Sequence, residues 1–157
     1  SWSNDQQSIY FSAEQNNQYN IFKLDINTSK MEKIILNAGA IAQESLDGQY
    51  LYYGDMLNGQ LMRRTLLGEV DVMFKIPSSD LRGIIPHRVK VIDDGLYYIS
   101  AKGRQSVLKY YSFTDKTLDD YLALPNDIYV TDIIKNESIN VVYDRFSKAN
   151  SNLIELR

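Results

Sequence analysis

The chain of 157 residues contains no cysteine, one histidine, one tryptophan and three prolines. Without cysteine there is no disulfide, no thiolate nucleophile and no sulfur-ligated metal. The single imidazole, His87, is too little for a metal site without thiolate or clustered carboxylate partners. It also leaves little room for a Ser–His–Asp triad, and no serine stands in a Gly-x-Ser-x-Gly elbow. The eight glycines occur singly at turn positions, so no phosphate-cradling loop is present. No apolar run approaches the roughly 18 residues of a membrane span. The opening Ser1-Trp2-Ser3-Asn4-Asp5 is not a secretory leader. Excess basic charge is missing too: 17 Lys and Arg against 20 Asp and Glu give a net charge of −3. That balance argues against this segment gripping a nucleic-acid backbone, which needs a basic face.

What the chain does have is tyrosine, twelve of them, and a repeat. Ile9-Tyr10-Phe11, Leu51-Tyr52-Tyr53, Leu96-Tyr97-Tyr98 and Val141-Val142-Tyr143 begin 42, 45 and 45 positions apart. A second motif follows each copy: Ile21-Phe22-Lys23, Leu61-Met62-Arg63, Val107-Leu108-Lys109 and Leu153-Ile154-Glu155, spaced by 40, 46 and 46. A period of roughly 40–50 residues with several short strands per unit is the signature of propeller blades. One such unit cannot bury its own faces, so neighbours must stack.

The segments rich in β-branched and aromatic residues predict strands over 8–13, 19–25 and 31–36, with the polar stretch 14–18 as a loop. They continue over 40–44, 49–54, 60–66 and 69–76, with Asn58-Gly59 marking a tight hairpin. Further strands are expected over 88–92, 95–101, 106–113, 117–124, 128–134, 138–146 and 152–157. The stretch 77–87 is read as a loop with a helical turn at Ser79-Asp80-Leu81. The expected fold is all-β: a β-propeller of about four four-stranded blades at 1–37, 38–77, 87–125 and 126–157. The first and last blades are each a strand short. That pattern, and a start without methionine inside a repeat, predict a fragment of a larger six- to eight-bladed ring. Open blade edges would then favour self-association.

Particular residues carry a more specific resemblance. Trp2-Ser3-Asn4-Asp5 with Ile9-Tyr10-Phe11-Ser12 resembles the W-S-P-D-G…I-Y-F-S opening of TolB-type propeller repeats, with Asn4 for the usual proline and Gln6 for the glycine. Glu44-Ser45-Leu46-Asp47-Gly48 followed by Leu51-Tyr52-Tyr53 is similar to the same motif. Gln60-Leu61-Met62-Arg63 resembles the segment that follows it, and Asp94-Gly95-Leu96-Tyr97-Tyr98 resembles its D-G-I-Y-Y form. The order of these motifs, ending in Asn150-Ser151-Asn152-Leu153-Ile154-Glu155-Leu156, resembles the last blades of CadC/ToxR-like transcriptional regulators. The resemblance implies a parent with a winged-helix DNA-binding domain, one membrane span and this segment on the periplasmic or extracytoplasmic side of a bacterial inner membrane. It implies a non-catalytic sensor domain that takes a small-molecule signal or a protein partner at a propeller face. A TolB-like periplasmic scaffold is the alternative, and the propeller module of a peptidase or other hydrolase a second one.

Candidate site residues each have a structural explanation as well. Asp5, Asp47 and Asp93-Asp94 recur once per repeat, which fits aspartates capping tight turns with glycine at positive φ. Their spacing offers no contiguous oxygen-rich loop for a cation. His87 reads as a loop histidine, although its charge change near physiological pH would suit a sensor. Arg63-Arg64 and Arg88-x-Lys90 read as strand faces paired with nearby acids. The tyrosine pairs read as packing between blades rather than a stacking platform. Asn27-Thr28-Ser29 and Asn136-Glu137-Ser138 match glycosylation sequons. No catalytic, cofactor or metal residues are assigned.

Overall fold

The computed structural model describes residues 1–39, 41–55, 58–65, 67–77, 89–92, 94–102, 105–125, 128–135, 138–145 and 148–156. The chain divides into two compact units, Ser1–Pro77 and Ser78–Arg157. In the first, β1 (Ser8–Gln15), β2 (Gln18–Asp25) and β3 (Met31–Ile35) form one antiparallel sheet. A second sheet follows from β4 (Ala42–Glu44), β5 (Tyr50–Asp55), β6 (Gln60–Thr65) and β7 (Val70–Lys75). The second unit holds β8 (Val89–Ile92), β9 (Gly95–Lys102), β10 (Gln105–Ser112) and β11 (Leu118–Leu124) in a third sheet. Its fourth sheet is β12 (Ile128–Lys135), β13 (Ile139–Arg145) and β14 (Lys148–Leu156). Every sheet is a meander in which each strand pairs with the next in sequence, and no helix occurs among the described residues.

The middle strands explain why tyrosines come in adjacent pairs. Tyr52 and Tyr53 on β5, and Tyr97 and Tyr98 on β9, are all buried. Successive strand residues point to opposite faces, so both faces of these sheets are covered. In the first unit, Tyr53 packs with Ile21, Ile35 and Ala38 where the two sheets meet. In the second, Tyr97, Ile99 and Leu108 of the third sheet join Val130, Ile133 and Val141 of the fourth. The packing expected of the tyrosines is what these clusters show.

Two local expectations need correction. The polar stretch 14–18 is mostly strand: Glu14 pairs with Tyr19 and Gln15 with Gln18. The turn is only Asn16 and Asn17, both at positive φ (57° and 59°). Asparagine tolerates that region, and two such residues make the two-residue turn whose twist suits a hairpin. Asn58-Gly59, in contrast, closes a longer connection, since β5 ends at Asp55 and β6 begins at Gln60. The helical turn expected at 79–81 lies outside the described residues.

Three sheets also share a feature with no sequence signature. The register slips by one residue between the third and fourth motif strands, leaving Ile34, Met73 and Tyr121 as the extra residues opposite β2, β6 and β10. Such bulges bend a strand and raise its twist.

Candidate functional site

The two aspartate corners of the first unit are built alike. The Ser3 hydroxyl donates to Asp5 (2.6 Å) and accepts the Ser8 N–H (2.9 Å). The Ser45 hydroxyl donates to Asp47 (2.5 Å) and accepts the Tyr50 N–H (3.0 Å). Each aspartate then accepts a backbone N–H two residues on, from Gln7 (2.9 Å) or Gln49 (3.0 Å). The serine hydroxyl, and next the backbone N–H, hold both carboxyls below their ordinary pKa. Gln6 (φ 58°) and Gly48 (φ 70°) occupy the left-handed position. These carboxylates are engaged by their own turns, as a capping role requires.

The third corner differs. Asp94 accepts the Phe113 N–H through its carbonyl (2.8 Å), and the Tyr110 hydroxyl donates to the same carbonyl (3.3 Å). Gly95 is there for space, not for positive φ, which corrects the expectation. A Cβ on it would stand 2.3 Å from the Tyr111 carbonyl oxygen and 2.6 Å from the Tyr110 ring. Asp93 lies outside the described residues.

The basic residues divide between two structural jobs. Arg63 pairs with Asp71 (2.7 Å) and lies over the Tyr50 ring at 4.3 Å, as expected of a paired strand face. Arg64 does something else: it crosses to the first sheet and donates to the Ile34 carbonyl (2.6 Å). Ile34 is the bulged residue of β3, so the arginine bonds a carbonyl beside a disrupted stretch of the ladder. Lys90 sits on β8 opposite Tyr97. His87 and Arg88 lie outside the described residues, as do Asn136 and Glu137. Asn27 is exposed in the β2–β3 turn, its N–H bonded to Asp25 (3.0 Å).

A cleft of about 260 Å³ opens at one end of the contact between the first two sheets. Its wall on one side is Ile35, Leu36, Asn37 and Ala38, where the chain leaves β3; on the other stand Tyr53, Asp55, Asn58 and Met62. β5 and β6 aim these residues together, because Tyr53 pairs with Met62 in register. Asn37 is held at φ 54°, and its N–H donates to the buried Asn20 carboxamide (3.3 Å). Asp55 accepts the Asn58 N–H (3.2 Å) and its side-chain amide (2.6 Å). Burial pushes the Tyr53 phenol pKa up; Arg64 opposes that shift and Asp55 adds to it. Donors, acceptors and an apolar floor therefore converge on one small volume. None of these residues belongs to a chemical motif, and Asn37 and Asn58 look like ordinary turn asparagines in sequence. No cluster of three metal-ligating side chains occurs among the described residues.

No protein-family model matches the chain, and no curated protein matches it. Solved structures do. TolB from Acinetobacter baumannii superimposes with a TM-score of 0.64 at 13% identity, over 98% of this chain and 42% of that one. The fold is that of a β-propeller. An oligogalacturonate lyase in complex with manganese gives 0.63 at 16% identity, over 98% of this chain and 48% of the lyase. An auxiliary nutrient binding protein from Bacteroides thetaiotaomicron gives 0.59 at 12%, over 99% and 44%. The chain thus spans less than half the length of each of these proteins. At such identities the likeness extends to the fold, and a propeller with TolB among its neighbours is what the repeat motifs imply.

Proposed function

We propose that this propeller segment is a non-catalytic binding module, and that the cleft between its first two sheets is where it binds. The cleft carries this reading, since carboxamides, a carboxylate and a phenol meet there over an apolar floor. The corner aspartates and Arg63 are bonded to their own neighbours, as Asp55 is to Asn58, but they do not line this cleft. A sensor role in a membrane-anchored, periplasm-facing transcriptional regulator is the finer proposal. It rests on the order of the TolB-type motifs, with ligand affinity differing between two states of the parent. The likeness to TolB favours a second reading, a periplasmic scaffold that docks protein partners.

The coding region around this segment separates the two. A winged helix and one apolar span upstream support the sensor; a secretory leader followed only by further blades supports the scaffold. Within a regulator, Asp55→Asn should weaken the response to sub-saturating signal in a reporter strain while leaving protein levels unchanged. A full response in that variant would overturn the cleft as the sensing site.

A further inference from the structure

We propose that the cleft takes one neutral sugar ring, held by Asn37, Asp55 and Asn58. The inference rests on reading this cleft as the binding site, and it specifies the chemistry of the ligand.

Size gives the first limit. Small-molecule pockets usually enclose roughly 300–1,000 Å³. At about 260 Å³ the cleft lies just below that range, which suits a single ring rather than an oligomer. Charge gives the second. Asp55 disfavours an anion in so small a space. It is a weak lure for a cation, because its two oxygens already accept the Asn58 N–H and amide. Asp55 is the only charged side chain among the described lining residues, and both of its oxygens are met by Asn58. A neutral ligand meets no uncompensated charge.

Hydrogen-bond chemistry gives the third limit. A carboxamide presents a carbonyl acceptor and an NH2 donor on one rigid plane. Asn37 and Asn58 both line the cleft with Asp55, and one N–H of the Asn58 amide is bonded to that carboxylate. Only the backbone N–H of Asn37 is engaged among the described residues, which leaves its carboxamide for a ligand. A hydroxyl also donates once and accepts twice, so a ring of adjacent hydroxyls answers such a rim group by group. Ile35, Ala38 and Met62 supply apolar surface for the C–H face of the ring.

The test is an amide-resolved NMR titration of this chain with four probes of one size: D-glucose, D-galactose, D-galacturonate and D-glucosamine. At least one neutral sugar should give saturable shifts at Asn37, Asn58 and Met62, with galacturonate and glucosamine weaker. Asp55→Asn and Asn37→Gly should each weaken the neutral sugar about tenfold, the scale of one lost hydrogen bond. Glycine is chosen at position 37 because it keeps the left-handed backbone. An unchanged amide spectrum outside the cleft shows that each variant is folded. Tighter binding of a charged probe at the same amides would overturn the neutral sugar while leaving the cleft as the binding site. A flat titration with all four probes, or an affinity indifferent to both variants, would overturn the proposal outright.

Discussion

The second corner of the first unit and the corner of the third sheet use the same two letters, Asp-Gly, for different purposes. At Asp47-Gly48 the aspartate works through its carboxylate and the glycine through its φ of 70°. At Asp94-Gly95 the aspartate works through its backbone carbonyl, and the glycine through its missing side chain. The serine two residues before the aspartate decides between them. Ser3 and Ser45 complete a closed circuit of hydrogen bonds, whereas Ile92 holds the corresponding place before Asp94. A repeated dipeptide therefore reports a turn, and its neighbour reports how that turn is made.

The comparison is broken most severely at Gly95. Gly95→Ala should cost about 3 kcal/mol or more, because backbone and ring atoms cannot both retreat from a Cβ. Urea unfolding measures this, and a loss below about 1 kcal/mol would mean that β9 and β10 separate easily. Ser45→Ala should cost about 1 kcal/mol, since the half-buried Tyr50 N–H loses its acceptor. Exchanging the left-handed residues sharpens the contrast within the first unit. Gly48→Gln should destabilise and Gln6→Gly stabilise, each by about 1 kcal/mol or less, because only glycine adopts that region freely.

Acid provides a subtler test. The folded pKa values of Asp5 and Asp47 lie below the ordinary 3.8, so their contribution is complete above about pH 4 and is lost as the pH falls through the folded values. A Ser3→Ala, Ser45→Ala double variant should lose less stability on acidification than the parent chain; an equal loss would contradict the circuit. The smallest signal comes from alkali. Burial, helped by the charges of Tyr121 and Tyr110, raises the Tyr97 pKa to about 12. Stability it contributes is whole below about pH 10 and declines as the pH rises toward 12. Tyr97→Phe should remove that part of the alkaline slope.

Much of the fold was legible because its signals are local. Alternating apolar residues and turn clusters placed the fourteen described strands to within a few residues, and the Tyr-Tyr pairs pointed to packing between blades. The bulges at Ile34, Met73 and Tyr121 were not legible, because they depend on how a neighbouring strand aligns. The same holds for Arg64, whose partner is a carbonyl thirty residues away in another sheet. The cleft was hidden for a related reason: Asn37 and Asn58 meet only after two sheets pack, and each alone resembles a turn residue.

Asn4 stands where the repeat motif ordinarily has proline. Its N–H donates to Glu44 (2.7 Å), and its side-chain amide donates to the Ser45 carbonyl (2.6 Å). Glu44 also accepts the Tyr10 hydroxyl (2.5 Å), so one carboxylate fastens the first sheet to the second at two points. Proline has neither an amide hydrogen nor a carboxamide to offer. Substitution toward a consensus is a common route to a more robust protein. At position 4 that rule inverts, and an engineer who restored the familiar letter would remove two of the hydrogen bonds that join neighbouring sheets.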